Sequence, residues 1–388
     1  MRFKSFSTPY NEIIIGTQII QKGRRAKSTE LNLPAYSINN STGFTPQEDQ
    51  WGDASYTKLS KEGYKYIERG DFAYNPARIN VGSIGLYKEN EPCIVSSLYV
   101  CFKTKPSIIS DYLYIYLKSE KFNKKVLRTQ EGGVRTYFFY DKLEKTKMYI
   151  PSLEEQVKIS NFLNLLDFRI QTQNKIIEDL KIFRNLIYDK LICFYKTEQI
   201  SIKELINRDF VRMIKPSELK PFIGVKKYLS TSSVDDEGIS SIETLITYKD
   251  RPSRASMYPI NKSVWFAKMK NTIKVLKSNN EIQNSYVLST GFYGLLCDER
   301  KINSDWLLET FRSNSFNNQK DRFSEGSSMS AIKDNQLEDI LINLITNKAD
   351  EDKAVKLLLS LSSSIVTNKT LLEKHKKQKE YLLENMFI

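Results

Sequence analysis

The chain has 388 residues, 40% hydrophobic and 27% charged, and its 59 Lys and Arg against 46 Asp and Glu give a net charge of +13. That length allows two or three domains with real cores, and the composition is that of an ordinary globular protein, which excludes a disordered or fibrous chain. The lone histidine, His375, and four cysteines, Cys93, Cys101, Cys193 and Cys297, show no C-x-x-C spacing, which leaves too few ligands for zinc; reduced core cysteines of a cytosolic protein are expected.

The opening Met1-Arg2-Phe3-Lys4-Ser5 leads into no sustained apolar stretch. Runs such as Ile13-Ile14-Ile15 fall far short of the roughly 20 residues a membrane span needs, so a cytoplasmic location without membrane contact is expected. Over residues 1–151, short β-like runs (Ile13–Ile20, Tyr64–Ile67, Ile94–Phe102) alternate with turn clusters such as Asn39-Asn40-Ser41-Thr42-Gly43 and Asn80-Val81-Gly82-Ser83. One helix is predicted from Ser110, where Ser-Asp supplies an N-cap ahead of Tyr112, Leu113, Ile115, Tyr116 and Leu117. This is an α+β globule.

Residues 152–197 read as one long helix. Ser152 and Glu155 have capping-box spacing, and from Leu153 to Tyr195 there is neither proline nor glycine, which predicts a rod of roughly 60 Å. A second mixed globule follows over 198–347, with a helix signal at Ser304. A second helix takes up 348–388, again free of proline and glycine from Asp350 onward.

The two helices carry matched seams. In the first, Leu163, Leu166, Ile170, Gln173, Ile177, Leu180, Arg184, Ile187 and Leu191 step by three and four; in the second, Leu358, Leu361, Ile365, Asn368, Leu372, His375, Lys379, Leu382 and Met386 do the same. A lone helix would expose such a seam, so the two are expected to pack on each other. Consecutive globules at opposite ends of one spacer require that pair to be antiparallel. Gln173 and Asn368 hold equivalent seam positions, where buried amides favour one register at some cost in stability. The globules repeat as well, at an offset of about 194: Ser110-Asp111-Tyr112-Leu113 returns as Ser304-Asp305-Trp306-Leu307, and Glu131-Gly132-Gly133 as Glu325-Gly326-Ser327. The expected class is therefore α+β, two mixed α/β globules separated by two long antiparallel coiled-coil helices with an internal pseudo-twofold repeat.

The charge is uneven, +8 over 1–150, 0 over 151–199, +3 over 200–347 and +2 over 348–388. Within 249–277, Lys249, Arg251, Arg254, Lys262, Lys268, Lys270, Lys274 and Lys277 face only Asp250, the footprint of a polyanion partner. Catalytic motifs are not found. Asn75-Pro76-Ala77 lacks the second proline and aromatic ring of the amino-methyltransferase loop, Gly82-Ser83-Ile84-Gly85 is too short for a dinucleotide fingerprint, and Glu218-Leu219-Lys220 has a nuclease-like spacing that Lys-rich chains give by chance. A Ser-His or Cys-His dyad would need the one histidine, which lies on a helix seam.

Ile150-Pro151-Ser152-Leu153-Glu154-Glu155-Gln156-Val157-Lys158-Ile159, followed by Phe162-Leu163, Leu166-Asp167 and the stretch from Leu180-Lys181 to Leu191-Ile192, resembles the central conserved helix of the specificity subunit of type I restriction-modification systems. In architecture the resemblance covers nearly the whole chain: target-recognition domain, helix, second target-recognition domain, second helix. At residue level it is concentrated in 150–192, with Gly70-Asp71-Phe72 and Gly132-Gly133-Val134-Arg135 as further support. Two departures stand out: Ile345-Thr346-Asn347-Lys348-Ala349-Asp350 replaces the Pro-x-x-x-Glu-Gln start of the second helix, and the segment ahead of Pro34 is short for the family.

The resemblance implies a non-catalytic subunit in which each globule reads a few base pairs of a split duplex site and the helices fix the gap between the halves. It also implies two modification subunits clasped through the helical region and restriction subunits outside them. S-adenosylmethionine, ATP and Mg would then sit on those partners, with no cofactor on this chain. Candidate DNA contacts in the first globule are Lys22, Arg24, Arg25 and Lys27 beside the flexible Gly23, with Arg78 and Asn80, and Arg135 and Tyr137 in a polar loop. In the second they are Lys226, Lys227, Arg251, Arg254, Lys268, Lys270 and Lys274, with Tyr248 and Tyr258 nearby. Two other readings compete: a helical interaction scaffold with incidental charge, and a compact nuclease or methyltransferase with its own site.

Overall fold

The computed structural model describes residues 2–48, 61–129, 137–240, 244–323 and 332–387. It divides into two compact units, residues 1–172 with 372–388, and residues 173–371. The sequence suggested divisions at the helix ends; compactness divides the chain within the helices instead, because each helix stretch buries its seam together with the globule of its own unit.

The first unit is built on two four-stranded sheets. In one, the strands Ile19–Lys22, Val100–Thr104, Asp71–Tyr74 and Ile84–Leu86 lie side by side in that order, all antiparallel. In the other the order is Gly43–Pro46, Ala35–Asn39, Cys93–Val95 and Lys65–Ile67, with a parallel pair at its centre. Phe72 stacks on Phe102 at 4.6 Å across the first sheet, and the helix Ser110–Leu117 buries Tyr112, Leu113 and Ile115 against it. A ribbon of Asn11–Ile14 with Lys147–Ile150 completes the unit's strands as described.

Two long β-like runs break where the chain has to bend. The run Ile13–Ile20 becomes a strand, one helical turn over Ile15–Gln18 and a second strand. Gly16 sits in that turn, and a Cβ there would lie 2.7 Å from the Glu144 carbonyl oxygen, so only glycine allows the approach. The run Ile94–Phe102 splits at a turn closed by the Tyr99 amide on the Ser96 carbonyl. The helix at Ser110 is capped one residue earlier than expected: Ile109 is the N-cap, and its amide is taken by the Gln156 side chain at 3.0 Å, from the far helix.

The second unit repeats this plan strand for strand. One sheet runs Val211–Met213, Phe292–Cys297, Ser263–Ala267 and Val275–Lys277; the other runs Thr244–Ile246, Lys226–Leu229, Tyr286–Ser289 and Ala255–Met257, again with a central parallel pair. Thr197–Ser201 pairs with Leu341–Ile345 as the ribbon. A short hairpin of Val234–Asp235 and Gly238–Ile239 is added.

The long helices span Leu153–Phe194 and Lys348–Met386. The Ser152 hydroxyl accepts from the Glu155 amide at 3.4 Å, but the Glu155 carboxylate goes to Arg2 at 2.6 Å, so the expected capping box closes on one side only. The second helix, without the Pro-x-x-x-Glu-Gln start, is capped by Asn347, whose side chain accepts from the Asp350 amide at 3.1 Å. In the first unit Leu163 and Leu166 pack in one core with Leu382 and Met386, and Lys379 pairs with Asp167. In the second, Gln173 donates to the Asn368 side-chain oxygen at 2.6 Å and Arg184 to the Ser362 hydroxyl at 3.1 Å. Rising numbers on one helix meet falling numbers on the other, so the pair is antiparallel.

The seam follows the spacing with local slips. Leu163, Leu166, Gln173, Ile177, Leu358, Ile365, Leu372, Leu382 and Met386 are buried, whereas Ile170, Leu180, Leu191, Asn368 and His375 are half-buried. Ile187 and Leu361 are also half-buried, and the buried places beside them belong to Tyr188 and Ser362. The slip follows from the residues' partners, since Tyr188 stacks on Trp306 of the lobe at 5.2 Å. Three cysteines are buried as expected; Cys193 is exposed near the end of the first helix, off the seam.

Candidate nucleic-acid interface

In each lobe two adjacent strands of the all-antiparallel sheet are joined by a polar turn. In the first, Asp71–Tyr74 runs through residues 75–83 into Ile84–Leu86. The Asn75 amide donates to the Ser83 carbonyl at 3.1 Å, the Asn75 side chain accepts from the Ala77 amide at 3.0 Å, and Gly82 takes φ +85°, where glycine is favoured. Arg78 stands exposed on this turn and Asn80 is half-buried. The Phe138 amide donates to the Pro76 carbonyl at 2.9 Å, which brings Tyr137 to the same place; its half-exposed ring stacks on Phe139 at 5.3 Å. Arg135 lies outside the described residues.

The basic segment Lys22-Gly23-Arg24-Arg25-Ala26-Lys27 departs from expectation. It is pinned to its neighbour, with the Tyr66 amide on the Arg24 carbonyl at 3.0 Å and the Ala26 amide on the Tyr64 carbonyl at 2.8 Å. The Arg24 guanidinium lies 3.9 Å over the Tyr66 ring and pairs with Glu30 at 2.7 Å, so Arg24 braces the segment. Arg25 and Lys27 point to solvent, and Lys22, half-buried, lines a cavity of about 580 Å³ with Gln21, Lys65, Leu98 and Asp141.

The turn of the second lobe is its counterpart. Ser263–Ala267 runs through Lys268–Lys274 into Val275–Lys277, and the Ile332 amide donates to the Lys268 carbonyl at 3.1 Å, as Phe138 does to Pro76. Lys270 is exposed. Two other cations of this stretch have partners within the lobe: Lys268 pairs with Asp334 at 2.9 Å, and the Lys274 ammonium donates to the Thr231 carbonyl. Lys277 pairs with Asp305 at 2.7 Å. A buried lysine braces the turn from beneath, Lys320, whose ammonium donates to the Thr272 carbonyl and whose pKa burial lowers to about 8.

A second cationic group gathers around the other sheet of this lobe. The Lys226 ammonium lies 5.4 Å from the Phe222 ring and 5.6 Å from Tyr258, and burial lowers its pKa. Lys227 lies 5.3 Å over Tyr286, Arg251 stacks 3.9 Å over Tyr248, and Arg254 is exposed. Such cation–π seats hold a charge in place. Glu218 pairs with Arg212 at 2.8 Å, and the Asp250 carboxylate beside Arg251 accepts from the Thr247 hydroxyl at 2.9 Å. Phe222 escaped the sequence reading although Pro221-Phe222-Ile223-Gly224-Val225, an apolar run between Lys220 and Lys226, was a visible signal. Among the described residues, no group of three or more His, Cys, Asp or Glu could hold a metal ion, and no helix is long and apolar enough to cross a membrane.

What this arrangement offers is two like lobes, each with a braced polar turn and cations held at fixed places on rigid strands. Comparison with known proteins places it. Residues 14–181 match the family model of the type I restriction modification DNA specificity domain. No curated protein sequence matches the chain. Among solved structures, the type I restriction-modification S subunit of M. genitalium is 13% identical with a TM-score of 0.57, covering 100% of this chain and 99% of that one. A structure described as showing complex assembly and conformational transition of the type I R-M system is 13% identical with a TM-score of 0.53, covering 97% of each chain. Residues 14–181, somewhat under half of the chain, are thus similar to the type I restriction modification DNA specificity domain, and the whole chain shares the fold of these two solved structures.

Proposed function

We propose that this chain is the non-catalytic address reader of a type I restriction-modification complex, each lobe reading one half of a bipartite duplex target and directing adenine methylation or restriction by partner subunits. The observation that carries this is the repeated turn: equivalent strands of equivalent sheets present Arg78 and Asn80 in one lobe and Lys270 in the other, each turn held by the amide of an equivalent residue, Phe138 or Ile332. Arg and Asn reach base edges bidentately, and Lys and Arg meet phosphates. The helices support protein partners, because Leu165 and Phe168 in the first unit and Ile182, Phe183 and Leu186 in the second stay at least half exposed. Two modification subunits carrying S-adenosylmethionine, and restriction subunits using ATP and Mg, are the partners proposed.

Co-expression with the adjacent modification subunit, followed by mapping of methylated adenines in the host genome with and without this chain, tests the reading. Methylation at one bipartite motif with a fixed gap, lost on deletion, is expected. Unchanged methylation with the partner expressed would overturn it in favour of a scaffold.

A further inference from the structure

The helix Asn314–Arg322 of the second lobe is itself fixed, and its end grips the polar turn Lys268–Lys274. At its start the Ser313 hydroxyl accepts from the Phe316 amide at 3.2 Å, and the buried Phe316 ring meets Phe266 at 4.9 Å, on the strand that enters the turn. Gln319 is bonded both ways to the ribbon, its side-chain amide donating to the Leu341 carbonyl at 2.9 Å and its oxygen accepting from the Leu341 amide at 3.0 Å. The next two residues hold the turn. The buried Lys320 ammonium donates to the Thr272 carbonyl, and the Asp321 carboxylate accepts from the Asn271 amide at 3.0 Å. The turn adds a bond of its own, from the Thr272 hydroxyl to the Met269 carbonyl at 2.9 Å.

Asn271 takes φ +54°, a left-handed backbone that glycine adopts freely and other residues enter at a cost, asparagine more readily than most. It is exposed, between the exposed Lys270 and the half-buried Thr272. The first lobe is built differently at this place. There Ile79, the third residue after Pro76 as Asn271 is the third after Lys268, is buried, and it shares an apolar core with Val126, which the repeat offset of 194 aligns with Lys320. An apolar side chain at position 320 would fill its site without the cost of burying an ammonium, so what Lys320 contributes is not stability. With Asp321 it fixes the Asn271 amide and the Thr272 carbonyl, and thereby the direction in which the Asn271 side chain leaves the turn.

We propose that Asn271 reads the edge of one adenine in the half-site bound by the second lobe, and that Lys320 and Asp321 are its positioning residues. This rests on the DNA-reading function proposed above and adds a specificity rule to it. An asparagine side chain donates to N7 of adenine and accepts from its N6 amino group at once, a pairing that needs the side chain held at one place. The test uses the full chain co-purified with its modification subunit, bound to a duplex carrying the mapped motif and to duplexes in which each base pair of the motif is changed in turn. Asn271→Gly keeps the left-handed backbone and removes only the side chain, so discrimination at one A·T pair in one half of the motif should fall about tenfold, with the other positions as in the parent. Lys320→Met should melt above the parent yet bind the mapped duplex about fivefold more weakly, because the unpinned turn must then be ordered on binding, while a scrambled duplex is bound as before. A role in folding alone would not make the more stable variant the weaker reader. Parental discrimination in Asn271→Gly would leave asparagine there for its backbone alone and overturn the proposal. So would an even loss of affinity for all sequences in that variant, the mark of a phosphate contact, or parental binding in Lys320→Met. A parent complex that binds the mapped duplex no better than a scrambled one would instead remove the DNA-reading function itself, and this inference with it.

Discussion

The two units share a strand order and differ in how each lobe is joined to its helix stretches. In the first unit the joint is made of rings: Phe387 packs against Tyr112 at 5.4 Å and Tyr116 at 5.6 Å, and Phe3 against Phe162 at 5.8 Å, with Arg2 on the buried Glu155. In the second, a buried ionic network is added to the stack of Tyr188 on Trp306. Arg184 of the first long helix meets Glu237 at 2.7 Å and Glu309 at 3.8 Å, Arg312 pairs with Glu309, and the Ser362 hydroxyl donates to Glu309 at 3.1 Å. Lys181 on Asp236 at 2.7 Å extends the network to the added hairpin. Apolar contacts tolerate small shifts, whereas a buried network works only when every partner is in place. One topology therefore accommodates two joints of different tolerance.

The largest effect expected separates them. Glu309→Ala would leave Arg184 and Arg312 short of a partner in the interior and should cost about 4 kcal/mol, seen as faster hydrogen exchange in peptides of the second unit only. Intact protection there would break the distinction. The same joint carries a pH signature through Asp236. Burial alone would raise its pKa, but Lys181 and Lys369 hold it below the ordinary carboxylate range. Its contribution is therefore present at neutral pH and is lost as pH falls below about 4.

Phe387→Ala should cost the first unit about 3 kcal/mol by leaving a cavity beside Tyr112 and Tyr116, with exchange in the second unit unchanged. Lys320→Met should stabilise the second unit by about 2 kcal/mol at pH 7, read from its denaturant midpoint, since the folded state holds a buried cation against its own solvation. The sign reverses the usual pairing case: the unfolded chain binds the Lys320 proton more tightly than the folded one, so parent stability rises from pH 8 toward 10 and the variant's advantage fades there. Arg254→Glu with Lys270→Glu should flatten the salt dependence of DNA binding by about two counterions, and an unchanged slope would clear both residues. Smallest, Gln173→Leu with Asn368→Leu should raise the melting midpoint by about 1 kcal/mol equivalent while loosening helix register, checked by cross-linking.

Much of this was legible because it depends on spacing. Seam positions such as Leu163, Ile177 and Ile365 are buried because a helix returns to the same face every three or four residues. The positive charge was legible as a sum and misleading in detail. Arg24 and Lys268 look alike as basic residues in a basic segment, yet Glu30 and Asp334 neutralise them, and Asp334 is far from Lys268 along the chain. The half-closed cap at Ser152 fails for the same reason, since Arg2 claims the Glu155 carboxylate.

The sequence by itself determined the repeat, the antiparallel helix pair and the resemblance to type I specificity subunits, because periodicity and the Ile150–Ile192 pattern are local or strictly periodic properties of the chain. Only the tertiary structure decided which cations of the basic segments meet carboxylates or carbonyls within the lobes, and how each lobe is joined to its helices. Those outcomes depend on partners brought from distant positions by β pairing and helix packing, and no spacing rule along the chain records which carboxylate, ring or carbonyl a side chain will meet.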